Sequence, residues 1–112
     1  SMHCAHNYPF HKEQSDVDVP LLDGTDTNTY LNLLAKHLPL LLDRHQPDFV
    51  FYLSGVDILD TDKYGKLKVT LEGCRQRDAY VFQQLYQRNI PVAVAMGGGY
   101  SPDVRTIVTA HC

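Results

Sequence analysis

The fold class is indicated most clearly by the segment Pro91-Val92-Ala93-Val94-Ala95-Met96-Gly97-Gly98-Gly99-Tyr100. Its apolar first half predicts a β-strand, and its three glycines predict a tight turn after the strand. An earlier apolar run, Asp48 to Ser54, is followed directly by Gly55-Val56-Asp57. That run lacks polar alternation, which predicts a strand buried on both faces, as parallel strands are.

Three helices are predicted around these strands. Apolar residues at helical spacing predict the first from Asn28 to His45, capped by Asp26 or Thr27 and kinked at Pro39. The second begins near Leu71 behind the cap residue Thr70 and ends at Asn89. The third opens at Ser101-Pro102-Asp103, with the proline at the first helical position.

The predicted architecture is a single partial domain over residues 1–112. Residues 1–26 form an irregular arm that is rich in turn formers, and residues 27–112 form an αβαβα unit. A strand, a crossover helix and a second strand predict an α/β fold with a partial doubly wound parallel sheet. Because two strands with open edges are too few for a stable sheet, we expect a piece of a larger sheet or pairing with another copy.

Composition excludes several classes of protein. The chain has 112 residues, 44% of them hydrophobic and 21% charged, which is ordinary for a globular domain. A net charge of -3 gives no reason to expect nucleic-acid binding, and the longest apolar runs are too short to span a membrane. Three cysteines at unrelated spacings predict a reducing, cytoplasmic setting, with Cys74 buried and with Cys4 and Cys112 incidental.

Asp57 is the first candidate for chemistry. An aspartate directly after a strand can hold a cation at the sheet edge, where open α/β sheets keep their active sites, although it can equally cap a loop.

Tyr100 is the second candidate. Its phenol could donate a hydrogen bond to a forming oxyanion. Phosphate binding at the next helix and a merely tight turn are the alternatives for the glycine run.

Histidines give no comparable signal. His3, His6 and His11 are clustered, but their spacing matches no standard zinc motif, so we expect surface residues in a loop. Asp43-Arg44-His45 spells Asp-x-His, yet it closes a helix before Gln46-Pro47, and its side chains should not reach the strand edge near Asp57.

Taken in order, several motifs resemble the C-terminal part of the histone deacetylase superfamily, and the type they resemble most is the bacterial or class IV type. They begin with Ser1-Met2-His3 and Asn7-Tyr8-Pro9-Phe10 in the arm and continue to the end of the chain. The remaining motifs are Leu22-Asp23-Gly24-Thr25, Leu53-Ser54-Gly55-Val56-Asp57, Gly65-Lys66-Leu67, Pro91-Val92-Ala93-Val94 and Gly97-Gly98-Gly99-Tyr100-Ser101. The resemblance implies a zinc-dependent amide hydrolase of arginase/deacetylase-like fold.

The resemblance also implies a role for single residues. Asp57 would be the second aspartate ligand of the zinc, and Tyr100 the catalytic phenol that polarises the scissile carbonyl. Tyr8, Gly98 and Gly99 would line the substrate channel. The positions where the family binds monovalent cations correspond to Ser1, Met2 and Tyr30. Tyr64 stands where the family often has leucine.

The chain departs from the family pattern because it lacks the Asp-x-His ligand pair at a strand end and the His-His acid/base pair. We therefore expect that the chain alone is inactive and holds no stoichiometric zinc. One hypothesis is the C-terminal portion of a deacetylase of acetyl-lysine or acetylpolyamine, completed by the missing N-terminal part. The other is a non-catalytic module that self-assembles through its unpaired sheet edge into a homo-oligomer.

Overall fold

A computed structural model describes all of residues 1–112, which form four strands and three helices. In chain order these are β1 (Met2–Cys4), β2 (Val19–Leu21), α1 (Thr27–His45), β3 (Val50–Gly55), α2 (Leu71–Gln87), β4 (Val92–Gly97) and α3 (Val104–His111). From α1 onward the order is helix, strand, helix, strand, helix, which confirms the predicted αβαβα arrangement.

β3 and β4 form a parallel pair that is joined by α2. The register runs from Val50 opposite Val92 to Gly55 opposite Gly97 without a bulge. Because the strands run in the same direction, both carboxyl ends reach the same edge of the sheet. The turns that carry Asp57 and Tyr100 both leave from this edge.

α1 and α2 cover one face of this pair. Tyr52 packs edge to face on Phe82 of α2, with ring centroids 6.0 Å apart. Tyr52, Val50 and Val92 pack against a buried cluster contributed by the two helices, namely Leu34, Leu42, Val81 and Leu85. This cluster holds α1, α2 and the sheet together.

The opposite face of β3 is open, which corrects the prediction of a strand buried on both faces. Phe51 and Leu53 are 86% and 69% exposed. Successive side chains of a strand point to opposite faces, and Tyr52 lies under the helices, so Phe51 and Leu53 lie on the other side. No element within residues 1–112 covers them.

The arm is more ordered than the sequence predicted. β1 and β2 pair in parallel, with Met2 opposite Val19 and Cys4 opposite Leu21. The run Val19-Pro20-Leu21 alternates buried, exposed, buried, and a proline is tolerated at an exposed position of a short edge strand. The turn formers of the arm predict irregular structure throughout residues 1–26, and this is wrong at residues 2–4 and 19–21.

Cys4 also differs from its prediction, whereas Cys74 agrees with it. Cys4 is 2% exposed in the main core cluster, and its thiol donates to Asp23 Oδ1 at 3.2 Å. Cys74 is fully buried, as predicted. Cys4 is therefore a packing residue rather than an incidental one.

Helix boundaries follow local capping. Asp26 caps α1 by accepting from the Thr29 amide at 2.9 Å, and Pro39 lies inside α1, which continues to His45. Thr70 caps α2 as predicted, but α2 ends at Gln87, two residues before Asn89. α3 begins only at Val104, because Asp103 is its cap and Pro102 precedes it. None of the three helices combines the length and apolar character that crossing a bilayer requires.

Candidate active site

Asp57 lies just beyond β3, pressed between two glycines. A side-chain carbon added to Gly98 would lie 2.9 Å from Asp57 Cγ, and one added to Gly55 would lie 3.0 Å from Asp57 Oδ1. Gly98 also has φ of +65°, which favours glycine. The glycine turn after β4 is thus packed directly against the carboxyl group of Asp57.

The surroundings of Asp57 disfavour its charged form. Burial of the carboxyl group raises its pKa, although the residue as a whole is exposed to solvent, and the negative charge of Asp62 raises it further. The positive charge of Arg77 acts in the opposite direction. A carboxylate in this setting would be stabilised by a bound cation.

Tyr100 is held by its backbone and exposes its ring. Its amide donates to Asp62 Oδ2 at 2.6 Å, and its carbonyl accepts from the Lys63 amide at 3.2 Å. The ring is edge to face with Tyr64 at 5.2 Å between centroids, and the residue is 61% exposed. Two phenol-bearing side chains therefore stand together at the sheet edge, with fixed backbones and accessible rings.

An open cleft of about 790 Å³ connects several of the predicted site residues. It is lined by residues of α1 and β3 and reaches the turns at the carboxyl edge of the sheet. Five predicted residues line it together: Ser1, Met2, Tyr30, Asp57 and Gly98. The role of Ser1, Met2 and Tyr30 in holding monovalent cations stays a prediction.

Three predicted residues, Tyr8, Gly99 and Tyr100, do not line this cleft. Tyr8 is 81% exposed and packs edge to face on Phe10, with 6.2 Å between ring centroids. Gly99 has φ of +109°, and a side chain there would meet Val56 at 2.7 Å and Ile107 at 3.3 Å. Gly99 thus allows the glycine turn to pack on the core and on α3. The predicted roles of Tyr8 and Gly99 in lining a substrate channel remain predictions.

Arg77 is a residue that the sequence reading missed. It is 4% exposed on α2, and its guanidinium donates to the Gly55 carbonyl, to Ser54 Oγ at 3.0 Å and to Asp78 Oδ1 at 2.9 Å. It thereby ties α2 to the end of β3, two residues before Asp57. The signal was present, because charged residues, Arg77 and Asp78, occupy the positions of the apolar stripe of α2 between Cys74 and Val81.

Asp62 was missed as well. It is 8% exposed, and its carboxylate accepts from the amides of Tyr64, Gly65 and Tyr100 at 3.0, 2.7 and 2.6 Å. An aspartate two to three residues before a glycine is typical of a side chain that closes a turn, and that part was readable. The hydrogen bond from the Tyr100 amide, 38 residues away, could not be read from the sequence.

The residues present do not make a complete metal site. The structure brings together no group of three or more His, Cys, Asp or Glu side chains that could hold a metal ion, whereas a catalytic zinc needs about three protein ligands. Asp62 is occupied by its three amide donors, and Asp43 pairs with Arg88 at 3.1 Å near the start of β3. His6 pairs with Asp23 at the surface. Asp57 is not joined by two further ligands of these types, so these residues do not fit a whole zinc ion.

Comparison with known proteins identifies the family. The histone deacetylase domain matches residues 1–112. An uncharacterised protein of Picosynechococcus sp. is 41% identical over 111 residues, which cover 99% of this chain and 37% of that protein. Histone deacetylase 2 of Arabidopsis thaliana is 38% identical over 96 residues, 83% of this chain and 25% of that protein.

Solved structures support the same fold. Acetylpolyamine aminohydrolase from Burkholderia pseudomallei superimposes with a TM-score of 0.79 at 20% identity, over 98% of this chain and 34% of that one. The HDA15 HD domain gives a TM-score of 0.70 at 21% identity, over 98% of this chain and 33% of that one. The chain spans about a third or less of the length of these proteins. With the family matched from the first residue to the last, the chain belongs to the histone deacetylase family.

Proposed function

We propose that this chain contributes one part of a zinc-dependent deacetylase centre that hydrolyses acetylated amines of the acetyl-lysine or acetylpolyamine type. The observation that supports this most is the packing of the Gly97–Gly99 turn on Asp57 at the shared carboxyl edge of β3 and β4. A carboxylate on one turn and a phenol on the next are the two kinds of group that amide hydrolysis needs from this side of a site.

In this proposal each group has a defined task. Asp57 supplies one oxygen ligand, and the phenol of Tyr100 donates a hydrogen bond to the carbonyl oxygen of the substrate and to the oxyanion that forms from it. Zinc, when held by a full ligand set, supplies Lewis-acid polarisation. The other ligands and the acid/base imidazoles would come from polypeptide outside these 112 residues.

The chain by itself is therefore proposed to be inactive and to hold no stoichiometric zinc. One carboxylate cannot retain zinc against water, because tight sites use about three protein ligands. Equilibrium dialysis of the 112-residue chain with zinc, followed by metal analysis, checks this directly. Tight binding of one zinc per chain that Asp57→Ala abolishes would contradict it.

A chimera tests the catalytic assignment. The matching 111 residues of the Picosynechococcus relative are replaced by this chain, and zinc content and hydrolysis of an acetyl-lysine peptide and an acetylated polyamine are measured. Tyr100→Phe should keep the zinc and lower turnover by about 10² to 10³, the range for losing one oxyanion donor. Tyr86→Phe, on an exposed phenol of α2, is the matched control and should change neither. Undiminished turnover of the Tyr100→Phe chimera would refute the assignment of Tyr100.

The second candidate function is a non-catalytic module that self-assembles through its unpaired sheet edge and buries its exposed apolar side chains in the contact. It is favoured by the exposed apolar side chains on both strands, which include Phe51, Leu53, Val94 and Met96. Light scattering separates the two candidates. A monodisperse oligomer supports the module, and a chain that forms a defined particle only with the rest of a deacetylase domain supports the first proposal.

A further inference from the structure

Successive residues of the loop that follows Asp57 form hydrogen bonds with the turn that carries Tyr100. Thr61 Oγ1 lies 2.8 Å from Ser101 Oγ, the Tyr100 amide donates to Asp62, and the Lys63 amide donates to the Tyr100 carbonyl. Tyr64 then packs its ring on that of Tyr100. Residues 61–64, called here the 61–64 loop, thus run beside Tyr100 and Ser101 like a short paired segment.

Asp62 is the centre of this arrangement. Its Oδ1 accepts from the amides of Tyr64 and Gly65, which closes the loop on itself, while Oδ2 accepts from Tyr100. No basic side chain pairs with this nearly buried carboxylate, and its hydrogen-bond donors are three backbone amides. Hydrogen bonds to a carboxylate are shorter and stronger than those between neutral groups, and the 2.6 Å bond to Tyr100 fits that class.

The glycines before Tyr100 do not fix its position by themselves. Gly97, Gly98 and Gly99 precede it and allow many backbone conformations, so an isolated glycine turn would leave the phenol poorly placed. A donor to an oxyanion needs a position fixed to within about 0.5 Å. The external bonds from the 61–64 loop supply that restraint.

We propose that Asp62 is a positioning residue, which sets the place of the Tyr100 phenol by holding the Tyr100 amide against the loop that follows Asp57. This inference rests on the proposed function for its catalytic meaning. It couples the turn of the candidate metal ligand to the turn of the candidate oxyanion donor, so that the two groups move as one unit.

Asp62→Asn is the informative substitution, because it preserves shape. The asparagine side chain has one oxygen and one NH₂ group. If its oxygen still accepts from the Tyr64 and Gly65 amides, its NH₂ group faces the Tyr100 amide. Both of these groups are donors, so the hydrogen bond to Tyr100 is lost. Hydrogen exchange at the Tyr100 amide, measured by NMR, should accelerate by about tenfold or more. The nuclear Overhauser effect between the Tyr64 and Tyr100 rings should weaken or vanish.

Two controls make the result specific. Asp60→Asn is the same change on an exposed carboxylate that accepts no hydrogen bond, and it should leave Tyr100 unaffected. Sheet amides, such as that of Val56 bonded to the Gly97 carbonyl at 3.0 Å, should keep their protection in both variants. Unchanged exchange and ring contact at Tyr100, or an equal loss at the sheet amides, would overturn the proposal.

Should Asp62→Asn prevent folding, a backbone change decides the question. A synthetic segment of residues 74–112 ligated at Cys74 can carry an ester in place of the Tyr100 amide, which removes the N–H donor and leaves every side chain unchanged. Loss of the Tyr64–Tyr100 ring contact with the sheet intact supports the proposal, and retention of that contact overturns it. Neither readout needs zinc or substrate, so failure here leaves the deacetylase assignment standing, and failure of the chimera leaves the role of Asp62 standing.

Discussion

At the scale of single residues, two buried charges organise the candidate site. Asp62 fixes the turn that carries Tyr100, and Arg77 fixes the strand end that leads to Asp57. Each combines hydrogen bonds to near neighbours in the sequence with hydrogen bonds to distant groups, and a buried charge needs such partners if it is not to destabilise the fold. The two site residues singled out from the sequence are thus supported by two others, whose long-range partners local patterns do not reveal.

Arg77 provides a prediction at this scale. Arg77→Ala leaves the Gly55 carbonyl, Ser54 and Asp78 without their common donor and should lower the free energy of unfolding by about 3 kcal/mol or more. Urea unfolding followed by circular dichroism measures it. Arg75→Ala, on an exposed arginine that pairs with Glu72, is the control and should shift the midpoint far less. Equal shifts for the two variants would contradict the assigned role of Arg77.

At the scale of elements, the arm is where the sequence was least informative. β1 and β2 are three residues each, too short for a period to be visible, and Pro20 resembles a loop residue. What orders them is long-range packing, because Cys4, Val19 and Leu21 join the same buried cluster as Tyr30, Val56 and Cys74. Such contacts depend on the tertiary fold and not on local propensity.

The helices and the central strands could be predicted because their signals are local. Asp26 and Thr70 are good caps next to apolar periods, and the apolar runs before Asp57 and Gly97 are long enough to be strands. Boundaries were less accurate. α3 starts at Val104 because Asp103 caps it, while Ser101 is drawn into a bond with Thr61 across the turn.

Leu21 and Leu22 offer a matched test of the arm. Leu21 is 1% exposed and Leu22 is 72% exposed, although they are adjacent. Leu21→Ala should lower the free energy of unfolding by about 2–5 kcal/mol, the usual range for a cavity in a core. Leu22→Ala should have little effect. Similar small effects for both in urea unfolding would show that the arm does not pack on the core.

At the scale of the whole molecule, this chain has a small core and a large apolar surface. Only 19 of 112 residues are buried, while the open face of β3 and the end of β4 expose large apolar side chains. The related folds are about three times as long. We propose that their additional elements would cover the exposed apolar side chains of β3 and β4. An uncovered face of this kind favours association.

Phe51 gives the prediction for that surface. Because it is 86% exposed, Phe51→Glu should cost little stability, yet it should reduce self-association of the isolated chain and weaken its fit into the chimera. Sedimentation velocity at increasing concentration measures the association. Asn32→Glu, on an exposed neutral residue of α1, adds the same single negative charge and serves as the control. Unaltered association after Phe51→Glu would mean that the open face is not the contact surface.

In the proposed function, Asp57 is one ligand of a zinc centre that this chain shares with polypeptide outside it. Zinc stoichiometry of the purified chimera, by metal analysis after dialysis, tests this most directly. We expect one zinc per chimera, its loss in Asp57→Ala, and its retention in Asp60→Ala, where an exposed carboxylate three residues away is removed instead. A chimera that keeps its zinc after Asp57→Ala would contradict the claim.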